Sequence, residues 1–191
     1  MNRIVTLAAL TLVAASAVAA PEKYNIDPNH TYPSFETDHN GGMSLWRGKF
    51  NKSSGTIMLD TAAKAGSIEV TVDMASINFG LDRMNAHAMS ADMFDVAKYP
   101  TAVYKGTFSK WNGDAPAEVT GELTMHGVTK PLKLVINSFM CKQNAMTRRM
   151  SCGADASATF NRDDFGVDYG KSMGSKMATK LLISVEASKA D

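Results

Sequence analysis

The stretch SIEVTVDMA, residues 67–75, puts Ile68, Val70, Val72 and Met74 on one face of an extended chain and Glu69, Thr71 and Asp73 on the other. Side chains project alternately from a strand, so this two-residue period describes a strand with one buried face. The device recurs in AEVTGELTMH (Val119, Gly121, Leu123, Met125), LKLVINSFM (Leu132, Leu134, Ile136, Met140) and LLISVEAS (Leu181, Ile183, Val185, Ala187). Further strands are predicted near 24–26, 34–39, 46–50, 55–60, 102–110 and 154–160. Only GLDRMNAHAMSADMFDVAKYP, residues 80–100, has helical texture: Leu81, Met84 and Ala88 keep three-to-four spacing, and Tyr99-Pro100 ends the segment. A short helical turn is also expected after Asn161, in NRDDFG. Many strands with one inserted helix make an all-β sandwich or a closed barrel. Short antiparallel connections favour closure, which removes exposed edges. Periodicity alone leaves both architectures open.

The chain opens MNRIVTLAALTLVAASAVAA: one Arg, an apolar run, then small residues. That is the pattern of a secretory signal peptide, with cleavage expected after Ala19 and export to the periplasm. The expected organisation is therefore a leader over 1–19 and a single domain over 20–191. Lys plus Arg number 20 and Asp plus Glu 19; without the leader's Arg3 the signs balance. A neutral chain of interspersed charges has no electrostatic case for nucleic acid. In an oxidising compartment the two cysteines, Cys141 and Cys152, read first as a disulfide clamping the base of the loop KQNAMTRRMS.

Five segments carry a family likeness. SADMFDVAKYPTAVYKG (90–106), GELTMHGVTKPLKL (121–134) and FNRDDFGV (160–167), supported by DPNHTYPSFETDH (27–39) and WRGKFNKSSGTIMLD (46–60), together resemble the YceI-like family of periplasmic lipid- or polyisoprenoid-binding proteins. The resemblance implies an extended lipocalin-like fold: an eight-stranded antiparallel β-barrel with a helix at one end. It also implies an interior channel for a long apolar ligand of polyisoprenoid, quinone or fatty-acyl type, with no covalent cofactor and no catalytic residues. Some relatives sit beside cytochrome b561-type membrane proteins, so such a partner is expected. Around the helix, Met84 and Asn85 replace a charged pair common among relatives, which makes the mouth more apolar.

A barrel of eight strands is just wide enough to be filled by side chains or to hold one slender ligand. The inward set expected to line such a channel is Val70, Val72, Met74, Gly121, Leu123, Met125, Leu134, Ala156, Ala158 and Ala187. Methionine is abundant, at 13 residues, and adapts to irregular apolar shapes. Met84, Met89 and Met93 with Phe94 form either a pliable lining or ordinary core under the helix. Asn85, His87 and Ser90 are polar candidates at the mouth.

The rivals are a copper- or metal-handling protein and an interaction module that meets a membrane partner through MTRRM (146–150). The four histidines, His30, His39, His87 and His126, and the methionines are soft ligands suited to copper. No two histidines stand at i, i+2 or i, i+4, so each reads as a hydrogen-bonded structural residue and no metal ligands are expected. Neither G-x-S-x-G nor HExxH occurs, and the adjacent Asp163-Asp164 reads as a turn, with Arg162 tying it to a carboxylate; the expectation is no enzyme. Monomer and homodimer both stay open.

Overall fold

The computed structural model describes residues 20–191, so the expected leader lies outside the described residues. The elements in chain order are β1 (Glu22–Ile26), β2 (Tyr32–His39), β3 (Ser44–Phe50), β4 (Ser53–Asp60), β5 (Ala65–Asp73), β6 (Ile77–Asn78), α1 (Asp82–Met89), β7 (Thr101–Asn112), β8 (Ala115–Met125), β9 (Val128–Gln143), β10 (Met150–Asn161) and β11 (Ala178–Lys189). They form one antiparallel sheet that runs β1-β4-β5-β7-β8-β9-β10-β11 and closes through β1–β11 pairing. β2 continues β1 along β11, β3 pairs with β2, and β6 pairs with β3. Each of β1/β2, β3/β4 and β5/β6 is thus one interrupted stave, and the result is a closed eight-stranded up-and-down barrel. Closure decides between the two architectures that periodicity left open.

The interruptions are stitched by hydrogen bonds. The Asp27 N–H donates to the Glu186 carbonyl at 2.9 Å, and the Asn51 N–H to the Ser76 carbonyl at 3.0 Å. Thr31, 1 % exposed, donates its hydroxyl to the same Glu186 carbonyl and accepts from the Glu186 N–H. Buried backbone groups need such partners.

The helix is shorter than the sequence segment predicted. α1 stops at Met89 because the Ser90 hydroxyl donates to the His87 carbonyl at 2.7 Å and its backbone swings to extended angles. Residues beyond it form turns back onto Ala88 and Met89. The turn after Asn161 is a 3-10 turn, Arg162–Phe165. At the β8–β9 hairpin His126 and Gly127 have φ of 52° and 76°, the positive values that a two-residue hairpin loop requires.

These connections give the barrel two ends. One carries the β2–β3 turn, α1, the β8–β9 turn and the 162–177 connection. Here Phe35, Phe50, Met74, Ile77, Ala88, Phe165 and Val167 pack into a core. The other carries both sheet termini and the β9–β10 hairpin, bridged by Cys141–Cys152, which face each other in the ladder with Cα atoms 4.0 Å apart.

Candidate functional site

The barrel is hollow. A cavity of about 600 Å³ runs between the two ends, walled by alternate residues of the staves. β11 contributes Thr179, Leu181, Ile183, Val185 and Ala187, and β7 Ala102, Tyr104 and Phe108. Of the expected set, Val70, Val72, Met74, Leu123, Met125, Leu134, Ala156 and Ala187 are on this wall, as are Met84, His87, Met93 and Phe94 from the helical insert.

Gly121, Ala158, Asn85, Met89 and Ser90 are not among the wall residues, each for a local reason. Gly121 points inward, but the Tyr104 hydroxyl lies across it, 2.7 Å from where a Cβ would stand. Ala158, opposite Leu181 in the ladder, packs against the core of Tyr104, Val119, Leu132 and Leu134. The Asn85 carboxamide oxygen accepts from the Phe79 N–H at 2.7 Å, which ties α1 to β6. Met89 packs into the core under the helix. Ser90 is consumed in ending the helix.

The mouth lies between the β2–β3 turn, α1 and the 162–177 connection, where Asp38, His39, Asn40, His87, Tyr169 and Ser175 join the wall. His39 stacks on Trp46, ring centroids 4.4 Å apart, and His87 meets Tyr169 edge-on at 4.7 Å. Met43, Leu45, Leu81, Tyr169 and Met173 stand exposed around this end. The other histidines are structural: His30 pairs with Asp27 at 2.8 Å, and a His126 ring nitrogen bonds the Phe165 carbonyl at 3.0 Å. Among the described residues no three His, Cys, Asp or Glu side chains gather as a metal-binding group.

Arg162 corrects its sequence reading. Its guanidinium is buried and donates to the carbonyls of Val167 at 2.8 Å and Tyr169 at 2.7 Å, so it clamps the loop through backbone oxygens rather than a carboxylate. Desolvation lowers its pKa from the usual guanidinium value, partly opposed by Asp163, Asp168 and Asp38. The loop it clamps carries Tyr169 to the mouth. Asp163 does shape the turn, accepting at its carbonyl from the Gly166 N–H, and its side chain pairs with Lys171 at 2.7 Å.

Sequence reasoning missed Leu181, Ile183 and Val185, although their alternation with Ser184 and Glu186 is a signal equal to that of β5. It also missed the aromatics Tyr24, Phe35, Phe50, Tyr104, Phe108 and Phe139, which are on the wall. At the far end Trp111 packs edge-on against Phe108, centroids 5.7 Å apart, with its indole N–H buried and unpartnered. A desolvated donor of this kind costs about 1–3 kcal/mol.

Comparison with known proteins agrees with this geometry. A UPF0312 protein of Pseudomonas putida is 36 % identical over 180 residues, 93 % of this chain and 91 % of the relative. Among solved structures, BcnA of Burkholderia cenocepacia superposes with a TM-score of 0.66 at 22 % identity, over 84 % of this chain and 98 % of that one. A polyisoprenoid-binding domain from Saccharophagus degradans, implicated in plant cell wall breakdown, superposes with a TM-score of 0.63 at 15 % identity, over 87 % and 98 %. At those identities the structures speak for the fold. The model of the YceI-like domain matches residues 24–188, which takes in every stave of the barrel, and the chain therefore belongs to the YceI-like family.

Proposed function

We propose that the protein is a non-catalytic periplasmic carrier that holds one long apolar chain, of polyisoprenoid, quinone or fatty-acyl type, inside its barrel. The observation that carries this reading is the shape of the cavity. Its wall follows β11 from Thr179 to Ala187, a run of about 26 Å at roughly 3.3 Å per residue. The wall along that length is apolar, so the tunnel of about 600 Å³ accepts an extended apolar chain lying along the barrel axis.

The wall is apolar almost throughout, and the polar side chains collect at the mouth, so a headgroup belongs there and the tail points toward the disulfide. Each buried methylene contributes about 0.8 kcal/mol, so the tail alone can offset the roughly 4–15 kcal/mol of lost translational and rotational freedom on association. Few polar contacts are then needed. The structural likeness to a polyisoprenoid-binding domain and the leader-like N-terminus support the ligand class and the compartment, and a cytochrome b561-type membrane protein is the partner such a carrier of quinone would meet.

Native mass spectrometry of protein purified from its own host tests the reading. The expected result is a co-purified single-chain lipid on a chain that begins at Ala20. Protein that arrives empty and takes up no single-chain lipid in titration overturns it.

A further inference from the structure

The tunnel opens through an apolar rim. Met43, Leu45, Leu81, Tyr169 and Met173 stand exposed at the mouth end. They come from three separate places in the chain: the β2–β3 turn with the start of β3, the residue before α1, and the 162–177 connection. Contacts tie these pieces together. A Cβ on Gly41 would stand 3.3 Å from the Gly174 carbonyl oxygen, so the turns that carry Met43 and Met173 lie against each other. The Lys176 N–H donates to the Asp38 carboxylate at 2.9 Å, and Tyr169 meets His87 of α1. The rim is also continuous with the tunnel. Tyr169 and Met173 are on the cavity wall as well as exposed, and Leu45 and Leu81 follow closely on the wall residues Trp46 and Phe79 in the chain.

Single exposed apolar residues need no explanation, but a set gathered around one opening marks a surface that meets an apolar partner. The charges narrow the kind of partner. Segments 38–47, 81–84 and 162–177 carry five Lys or Arg and five Asp, so the rim has no net field with which to select an oppositely charged protein or an anionic membrane. Neutral lipid fits that balance. Trp46 and Tyr169 are of the two residue types that settle at the level of lipid headgroups. The cargo supplies the reason for such a contact: a long apolar chain that left a bilayer through water would expose its whole length, whereas a rim seated in the bilayer joins one apolar medium to the other. The far hairpin also exposes methionines, Met146 most of all at 93 %, but residues 140–151 are not on the cavity wall.

We propose that the mouth rim docks on the surface of a neutral lipid bilayer, with Met43, Leu45, Leu81 and Met173 entering the headgroup layer, so that an apolar chain passes between bilayer and tunnel without crossing water. This rests on the carrier reading given above.

The test follows delivery of a four-unit linear isoprenoid alcohol from loaded protein to phosphatidylcholine vesicles. The rate is expected to rise in proportion to vesicle concentration, because each delivery needs a collision. A combined Met43→Ser, Leu45→Ser, Leu81→Ser variant changes no wall residue; it should take up the alcohol from solution with unchanged affinity yet deliver it at least about tenfold more slowly, the loss expected when large apolar side chains no longer enter the lipid. Met146→Ser, at the opposite end, should deliver as the wild type does. A rate that ignores vesicle concentration means escape through water and overturns the docking, with the carrier reading intact. So does a rim variant that delivers at the wild-type rate, or a Met146→Ser variant that is slowed as much as the rim variant. Loaded protein that delivers nothing to protein-free vesicles also overturns it, and assigns the rim to a protein partner. Failure of the wild type to bind the alcohol at all overturns the carrier reading and the docking together.

Discussion

Tyr104 and Gly121 form a lock inside the barrel wall. The Tyr104 hydroxyl donates to the Leu132 carbonyl at 3.0 Å, spanning from β7 across β8 to β9. Burial pushes its pKa up to about 12, so it remains a neutral donor across the physiological range. A Cβ at Gly121 would meet that hydroxyl at 2.7 Å, with the Lys105 carbonyl nearer still. Gly121→Ala is therefore expected to destabilise the protein by about 1–3 kcal/mol, the usual cost of overpacking, read as a lower urea midpoint. Adding Tyr104→Phe should relieve little, because the backbone contact remains; an unchanged midpoint in the single variant would remove the lock. This pair also marks a limit of sequence reading. The two-residue period assigned Gly121 to the inner face correctly, but not which neighbour leans over it.

Among the elements, the β9–β10 hairpin is the one that most needs its covalent tie. Past Val135 β9 is paired on one side only, and the bridge Cys141–Cys152 sits at a facing pair on that stretch. Closing a loop with a sequence separation of 11 is worth about 3 kcal/mol in the chain-entropy model. Reduction should lower the thermal midpoint of the wild type, whereas a Cys141→Ser, Cys152→Ser variant, already low, should ignore the reductant; equal midpoints in all three states would mean that the ladder alone holds the hairpin. At this scale the sequence was informative. Each predicted strand exists, because a closed sheet with a solvated outer face writes its period into the chain. The breaks were not legible: what splits β1 from β2 is the bonding of Thr31 and Asp27 to Glu186, a partner some 155 residues away. Ser90 ended the helix early by a bond to its own preceding turn, a choice that local propensity does not settle against tertiary packing.

At the scale of the whole molecule the barrel trades stability for space. An apolar cavity of about 600 Å³ forgoes the contacts that a filled core would make, and only a guest restores them. Whether the interior is hollow was not decidable from the alternating pattern, since filled and hollow barrels share it; the difference lies in how the side chains of opposite staves meet. Ala156 offers the test. It is 7 % exposed, stands on the cavity wall in mid-barrel, and pairs with Ile136 on one side and Ile183 on the other. Ala156→Phe projects a ring into the tunnel without touching the mouth. The empty variant should be more stable than the empty wild type by roughly 1–2 kcal/mol, the worth of burying that ring. Ligand should reverse the ranking. A lipid present at a hundred times its dissociation constant adds about 2.7 kcal/mol to the wild type and nothing to a blocked barrel. Differential scanning calorimetry of lipid-stripped protein, with and without a long-chain alcohol, reads both effects. Equal ligand-induced shifts in the two proteins would place the guest outside the barrel, and the tunnel would then be a void without a purpose.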